Sequence, residues 1–437
     1  MMKLASSPLH FRGMPMGFYE NAPWRMLEQP FAVSGQTLEE LKKFSLAYFL
    51  FSDAVHRLSD GGNEMVKTLV RHKLPKGFLA KSGKSLSRRL RFDLVLRNDG
   101  NFFLTEAESA PGGEGFTQVF QELYGVFPTI ADDMKEYLDG RPYRILMAPE
   151  WTGDCLVEQL ILVKALRERG VDAKLLVMHS PENLDRALMG TRFWQNPVPP
   201  FETIRSLGLL EGAEFCEELP EKLPPSTVVF RMMYYRDVTK EILYRLSEWE
   251  KQGVVFSNGL HYVYENKAML ACLAVPAIRE RLEKSHSLEI LERHIAKTEL
   301  VFCGVSDISS QYRRQRELVL KAAAHTPKSE GAREVFVGTN ETQVEWEAKI
   351  GRSMGAEYPC VVQQLVKGGS WDIRHFERDG SDNLMRGAKI RWTPFVTLVV
   401  RGCGCREISV SPGMATFRKS DVVHGHLDAV MGPVVVQ

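Results

Sequence analysis

Apolar and polar side chains alternate through residues 90–108, on both sides of Asn98-Asp99-Gly100. A two-residue period places successive side chains on opposite faces of a strand. Asp-Gly suits the tight turn that a twisted pair of strands prefers. The pattern therefore predicts a β-hairpin with strands over about 90–96 and 101–107.

Three acidic side chains lie on or next to the two strands of this hairpin, in addition to Asp99 in its turn. Asp93 and Glu106 sit on facing strands, and Glu108 follows Glu106 by two residues, so the three carboxylates can converge on one side. Without partners they would repel each other and their pKa values would rise. One or two Mg²⁺ ions would remove that cost, because magnesium prefers carboxylate oxygens together with substrate phosphates. Arg91 should share the face of Asp93. The alternative is a solvated hairpin with ordinary surface acids.

The bulk composition excludes several classes of partner. The chain has 437 residues, which predicts two or three lobes, and its 56 basic and 55 acidic residues leave a net charge of +1. Neither nucleic acid nor an anionic membrane is therefore an expected partner, and any phosphate binding needs a local cluster of cations. Seven cysteines without a disulfide-like spacing predict a reduced, cytoplasmic setting. We also find no signal-peptide core and no apolar run of about 20 residues.

Hydrophobic periodicity divides the chain into four parts. Residues 1–80 are predicted to be mainly helical, with Thr37 as the N-cap of a long helix, and 81–141 contain the acidic hairpin. Residues 142–260 alternate buried strands with helices, which predicts parallel strands in a Rossmann-like α/β lobe. Residues 261–437 alternate again between helices and strands and are expected to form the nucleotide-binding part.

Basic and glycine-containing segments downstream could bind a phosphorylated ligand. Lys267 opens a predicted helix, and Lys321 ends a predicted strand, where a lysine can meet a phosphate as a point charge. The following loop contains Ser329 and Gly331, whose backbone N–H groups could cradle phosphates. Each of these features is also common in ordinary surface structure. An apolar strand, which includes Gln363, Gln364, Leu365 and Val366, then leads into a glycine-rich bend. This strand could be a hinge whose backbone pairs with adenine, or a simple strand and turn.

The order of these motifs resembles that of the circularly permuted ATP-grasp ligases, the group that includes glutathionylspermidine synthetase. Arg91-Phe92-Asp93 and Glu106-Ala107-Glu108 are similar to an early Arg-x-Asp strand and Glu-x-Asn strand. Asn266-Lys267, the strand ending in Lys321, the hinge strand and Asp372-Ile373-Arg374 follow in the same order. Two features depart from the pattern: Glu108 stands in place of an asparagine, and the phosphate loop is poor in glycine.

The resemblance implies an α/β (α+β) ATP-grasp-like fold, circularly permuted, with the Rossmann-like lobe inserted. It also implies an ATP-dependent carboxylate–amine ligase that forms an acylphosphate and releases ADP and phosphate. Asp93, Glu106 and Glu108 would hold one or two Mg²⁺ ions, and Arg91 would stabilise the charge that develops in the reaction. ATP would contact the residues Lys267, Lys321, Ser329, Gly331, Gln363, Gln364, Leu365 and Val366.

The substrates, a small carboxylic acid and an amine, are not identified by the sequence, and neither is the oligomeric state. Ser109, Gly112, Gly113 and Arg374 are candidates for binding them, although the glycines could equally shape the turn into the next helix. The loop at 148–154 follows a strand of the α/β lobe, where open α/β sheets usually bind ligands.

Two rival functions remain open at this point. A dinucleotide enzyme is disfavoured, because the first loop of the α/β lobe lacks the G-x-G-x-x-G fingerprint. A non-catalytic nucleotide-binding protein with an ATP-grasp-like fold is the second alternative.

Overall fold

The computed structural model describes residues 25–71, 86–148, 152–179, 192–193, 196–197, 201–206, 208–234, 238–301, 308–323, 335–356, 358–377, 381–400, 405–420, 423 and 428–437. The strands within these ranges are β1 (Arg25–Leu27), β2 (Phe31–Val33), β3 (Arg89–Leu96), β4 (Phe102–Glu108), β5 (Tyr143–Met147), β6 (Ala173–Val177), β7 (Arg192–Phe193), β8 (Asn196–Pro197), β9 (Ala213–Phe215), β10 (Val228–Met232), β11 (Val255–Phe256), β12 (Thr298–Val301), β13 (Leu318–Ala322), β14 (Val335–Val337), β15 (Cys360–Gln364), β16 (Trp371–Phe376), β17 (Asp382–Val400), β18 (Arg406–Arg418) and β19 (Val430–Val436).

The α-helices in the same ranges are α1 (Gly35–Asp60), α2 (Glu64–Arg71), α3 (Glu114–Leu123), α4 (Ile130–Leu138), α5 (Thr152–Glu168), α6 (Phe201–Ser206), α7 (Lys240–Lys251), α8 (Pro276–Lys284), α9 (Leu288–His294), α10 (Ile308–Arg313) and α11 (Gln343–Gly355). None of the helices in the described part of the chain combines the length and the apolar character needed to span a bilayer.

The largest sheet contains the predicted hairpin. Its strand order is β16-β1-β19-β18-β17-β3-β4, and β16 also pairs with β17, so five strands close into a ring of pairings. Besides β18, the long strand β17 pairs with two further strands: its first residues pair with β16 and its later residues with β3. The hairpin therefore projects from the side of a closed sheet, which holds it rigidly.

Helix α1 covers one face of this sheet. Phe44 is fully buried, and its ring lies 5.4 Å from that of Phe92 on β3 and 5.6 Å from that of Phe102 on β4, centroid to centroid. The predicted helix forms, but Thr37 is not its N-cap. Ser34 takes that role by accepting the N–H of Thr37, and the Thr37 hydroxyl donates to Gly100 O in the hairpin turn. Ser34 and Thr37 both carry a hydroxyl that can cap a helix, and Ser34 is the one that lies directly before the first helical residue.

The second sheet is entirely parallel, with the order β11-β10-β5-β6-β9. Helix α5 connects β5 to β6, which confirms the predicted strand–helix–strand unit. Helices α3, α4 and α5 share a buried apolar cluster with one face of the sheet. Trp249 of α7 lies in the cluster on the other face. The carboxyl ends of β5 and β10 therefore lie at one edge of the sheet.

The third sheet is antiparallel, with the order β12-β15-β13-β14. Helix α11 packs on it through Trp346 and Ile350. Most predicted elements of this region form, but residues 266–284 do not form one continuous helix. A 3₁₀-helix covers Lys267–Ala274 and α8 begins at Pro276, because proline is favoured in the first turn of a helix and breaks a helix that precedes it.

Strands β1 and β2 were not expected in an N-terminal segment predicted to be helical. Both pair with β19, more than 390 residues away along the chain. Three-residue strands carry too little periodicity for detection. The four-part division of the chain stays a prediction.

Helices α3 and α5 approach unusually closely at Gly115. A Cβ at this position would lie 1.9 Å from the backbone oxygen of Glu158, a distance that no side chain tolerates. Glycine is therefore required where α3 crosses α5.

We predict that Gly115→Ala destabilises the protein by about 1–3 kcal/mol, because the clash is with backbone and the helices must move apart. Gly351→Ala is the matched control, since Gly351 lies in α11 with open space around it. This control should raise the free energy of unfolding by about 0.5–1 kcal/mol. Urea denaturation of both variants measures the difference, and equal stabilities would contradict the close crossing.

Candidate active site

The hairpin places its acidic side chains opposite one another. In the register of β3 and β4, Asp93 faces Glu106 and Arg91 faces Glu108, with an irregularity after Asp93. These four side chains are buried or largely buried at the ends of the two strands. The alternative of a solvated surface hairpin is therefore wrong for these positions.

Arg91 connects the carboxylates. Its Nε lies 2.8 Å from Asp93 Oδ1, its Nη2 lies 2.8 Å from Glu108 Oε2, and its Nη1 donates to the Gly112 carbonyl at 2.8 Å. Burial alone would lower the pKa of Arg91, but Asp93 and Glu108 outweigh it and the pKa is raised. The guanidinium is thus a permanent cation held in a fixed orientation by three acceptors.

A second arginine reaches the same carboxylate from the neighbouring strand. Arg391 Nη1 lies 3.2 Å from Asp93 Oδ2, and β17 pairs Arg391 with Val95 of β3. Sequence reasoning missed this residue. Its strand was predicted, but the pairing of β17 with a hairpin almost 300 residues earlier carries no local signal.

Lys267 binds the third carboxylate. Its Nζ lies 2.7 Å from Glu106 Oε1. The Asn266 side chain caps this turn by accepting the Ala268 N–H and donating to Val70 O, both at 2.9 Å. Burial alone would raise the pKa of Glu106, but Lys267 and the other nearby cations outweigh it and the pKa is lowered.

Lys321 lies beside the same hairpin, on β13. Its Nζ donates to Gln363 Oε1 at 2.8 Å and to Thr105 O at 3.3 Å. Burial lowers the pKa of Lys321 to about 8, although Glu106 acts in the opposite direction. The Lys267 N–H also donates to Ala323 O at 2.7 Å, so the two predicted lysines are joined through the backbone.

Glu108 differs from its neighbours in its protonation. Burial raises its pKa to about 7, and Glu106 and Asp93 add to the rise while Arg91 opposes it. The predicted rise in the pKa values of the clustered carboxylates is thus confirmed for Glu108, but it is wrong for Glu106, whose pKa the neighbouring cations lower. Glu108 therefore changes charge near neutral pH.

The remaining predicted residues lie at varied distances from this cluster. Gly113 has φ +94° and Ser109 is buried, with no hydrogen-bond partner for its hydroxyl among the described residues. Gln364 is exposed, and the Leu365 N–H donates to Glu317 O at 2.6 Å. Val366 is half-buried and Arg374 is exposed on β16, with no described contact to the carboxylates. Ser329, Gly331 and 149–151 fall outside the described residues.

The donor set fits magnesium together with a polyphosphate. Three carboxylates supply hard oxygen ligands, and four cationic side chains (Arg91, Lys267, Lys321 and Arg391) surround them. With every group ionised the cluster carries one excess positive charge, which suits an anion bound with its metal. In the described structure the carboxylates are bound by these cations.

One other group in the described residues meets the spacing of a metal site. Ligand atoms of His56, Asp60 and His261 lie within 4.8 Å of one another. However, the Val263 N–H donates to His261 Nδ1, so the neutral ring carries its proton on Nε2, which lies 3.4 Å from Asp60 Oδ1. His56 Nε2 also lies 3.4 Å from this carboxylate. The group is a hydrogen-bond network centred on Asp60.

No known family and no curated protein matches the sequence. Among solved structures, the chain is similar to a glutathione synthetase-like effector, GSS30, from Globodera pallida, with 12% identity, 95% of this chain and 90% of that chain covered, and a TM-score of 0.51. A putative gamma-glutamylcysteine synthetase from Methylobacillus flagellatus KT aligns at 11% identity over 91% of this chain and 85% of that chain, with a TM-score of 0.39. D-alanyl-alanine synthetase A from Vibrio cholerae aligns at 10% identity over 62% and 89%, with a TM-score of 0.26.

The first of these similarities establishes the fold, and the two weaker ones carry no argument. The protein has a mixed α/β, ATP-grasp-like fold, as predicted.

The raised pKa of Glu108 predicts a specific dependence of stability on pH. The folded chain binds more protons than the unfolded chain between pH 4.5 and about 7, so this residue makes the free energy of unfolding fall as pH rises through that window. Glu108→Gln should flatten this fall. Urea denaturation between pH 4.5 and 8 measures both proteins, and parallel curves would show that Glu108 ionises normally.

Proposed function

We propose that this protein is an ADP-forming carboxylate–amine ligase that uses Mg-ATP and forms an amide or peptide bond through an acylphosphate. One observation carries the proposal: Arg91, Lys267, Lys321 and Arg391 surround the carboxylates of a single hairpin. The ATP-grasp-like fold and the order of the motifs along the chain, which resembles that of the circularly permuted group, support it.

In this proposal Asp93, Glu106 and Glu108 hold one or two Mg²⁺ ions, which neutralise charge on the ATP phosphates. Lys267 and Lys321 bind the phosphates as point charges, each released from its present acceptor when the ligand arrives. Ser329 and Gly331, which follow Lys321 in the sequence, contribute backbone N–H groups to phosphate binding. The adenine lies against the strand end at Gln363, Gln364, Leu365 and Val366.

Catalysis then depends on position and charge. The substrate carboxylate attacks the γ-phosphate, and an amine later displaces phosphate from the acyl carbon. Arg91 is oriented by three acceptors beforehand, so it stabilises developing negative charge without reorganising. Arg391 assists from β17. Ser109, Gly112 and Gly113 line the acid pocket, and the α/β lobe binds the second substrate.

Phosphate and ADP release with single amino acids and polyamines, followed by mass spectrometry of the product, tests the reaction itself. A ligase gives a product whose mass equals acid plus amine minus water. Binding of Mg-ATP without turnover of any acid–amine pair would favour the alternative of a non-catalytic nucleotide-binding protein.

We predict that Asp93→Asn and Glu106→Gln each weaken Mg-ATP binding at least tenfold, because each removes a charged oxygen ligand. Isothermal titration calorimetry with and without Mg²⁺ measures the change. ATP binding without metal should weaken much less. Variants that bind Mg-ATP like the parent would exclude the metal assignment.

Arg391 and Arg374 offer a matched comparison of two arginines from neighbouring strands. Arg391 contacts Asp93, whereas Arg374 is exposed. We predict that Arg391→Met lowers kcat about a hundredfold, as expected for removal of a preorganised cation, and that Arg374→Met has a much smaller effect. Steady-state ADP release measures both variants. A larger loss of kcat in Arg374→Met than in Arg391→Met would indicate that Arg374, and not Arg391, acts in the site.

A further inference from the structure

A buried acid on helix α5 lies beside the candidate active site. Glu158 is 2% exposed, and its Oε2 accepts the Gly113 N–H at 2.5 Å. The preceding residue, Gly112, has its carbonyl bound by Arg91 Nη1 at 2.8 Å. The single peptide bond between Gly112 and Gly113 therefore contacts Arg91 through its carbonyl and Glu158 through its N–H.

The absence of a side chain at Gly112 matters for this acid. A Cβ there would lie 3.0 Å from Glu158 Oε1 and 3.8 Å from both Cys155 Sγ and Met232 Cε. The Glu158 carboxylate therefore packs directly against Gly112 of the 109–113 turn, where any side chain would press on Oε1. Met232 ends β10, so this contact lies at the carboxyl edge of the parallel sheet, where α/β sheets usually bind ligands.

The crossing of α3 and α5 holds the acid in this place. Gly115 brings α3 into contact with the backbone of Glu158 itself, which fixes the position of this residue between the two helices. A carboxyl group in this setting is expensive to bury. A hydrophobic residue would fill the space without that cost, which indicates that the acid has a chemical role.

We propose that Glu158 is the general base that accepts a proton from the attacking amine in the ligase reaction. This inference rests on the proposed function. It adds the residue that removes a proton from the amine substrate before the amine attacks. The amine approaches past Gly112, with its nitrogen between the Glu158 carboxylate and the acyl carbon near Arg91.

The chemistry balances as follows. The substrate ammonium gives one proton to the Glu158 carboxylate and becomes a neutral amine. Its lone pair forms the C–N bond to the acyl carbon, and the C–O bond to phosphate breaks with the electron pair leaving on oxygen. The second proton lost by nitrogen leaves with the phosphate as hydrogen phosphate.

The protonation of Glu158 supports this role. Burial raises its pKa to about 8, the Gly113 N–H opposes the rise, and Glu114 of α3 adds to it. Cys155 and Gln159 face it from its own helix. Glu114 is paired with Arg89 of β3 at 2.7 Å, which fixes its position near Glu158. A base with a pKa close to the working pH transfers protons most effectively.

The competing explanation is that Glu158 only positions the 112–113 turn and, through it, Arg91. The two roles predict different responses to the nucleophile. Loss of positioning would slow acylphosphate formation and every later step. Loss of a base would slow only reactions of amines that arrive protonated.

Hydroxylamine separates these roles, because it is mainly neutral at pH 7 and captures acyl groups as hydroxamates without a base. Each amino acid is first supplied with ATP and hydroxylamine to find an acid that the parent activates. Glu158→Gln, Glu158→Asp and Glu168→Gln are then compared with hydroxylamine and with glycine or putrescine as acceptor. Glu168 is exposed on the same helix and serves as the control.

We expect Glu158→Gln to keep hydroxamate formation within about threefold and to lose at least a hundredfold with the amine acceptors. Glu158→Asp should lie between, and Glu168→Gln should match the parent. An equal loss with both kinds of nucleophile, or no loss with either, would overturn the proposal.

The parent protein provides a second measurement if the variants do not fold. Its rate with amine acceptors should rise with pH through about 8, while its hydroxamate rate should be flat there. The same pH dependence with both nucleophiles would contradict a base at Glu158. A parent that forms neither hydroxamate nor ADP contradicts the proposed function and not Glu158 alone.

Discussion

The candidate site depends on the contacts of Arg91. One guanidinium joins Asp93, Glu108 and the Gly112 carbonyl, so the two strand ends and the turn after them form one rigid unit. Buried ion pairs contribute little net stability, since the cost of desolvation largely cancels their attraction. A cluster of this size, buried at the end of a hairpin, therefore adds little to stability, which supports the proposal that it binds charged ligands.

Two sheets and a 3₁₀-helix supply the cations around this unit. Arg391 comes from the closed sheet, Lys321 from the third sheet, and Lys267 from a 3₁₀-helix whose backbone is bonded to the end of β13. The parallel sheet adds Glu158 through α5. The site thus lies where the three sheets and the 3₁₀-helix meet.

Much of this site was predictable because its main part is local. The alternation around Asn98-Asp99-Gly100 predicts the hairpin, and the hairpin alone places Asp93 opposite Glu106. The strand that ends at Lys321 was equally readable. Two of the predictions were wrong where local sequence allows more than one structure. Ser34 and Thr37 are both favourable N-caps, and Ser34 takes that role. The helix predicted over 266–284 is interrupted before Pro276.

Local patterns are enough to predict the elements that a short period encodes: the hairpin and its acids, the strand–helix–strand unit of the α/β region, and the lysines at element ends. Three contacts come from the folded arrangement alone, namely Arg391 with Asp93, Gln363 with Lys321, and Glu158 with the turn beside Arg91. The two groups differ in the sequence range of the interactions. Periodicity and turn chemistry act over a few residues, whereas these contacts join residues 42 to 298 positions apart, whose proximity follows from sheet pairing and from helices that cross closely at a glycine.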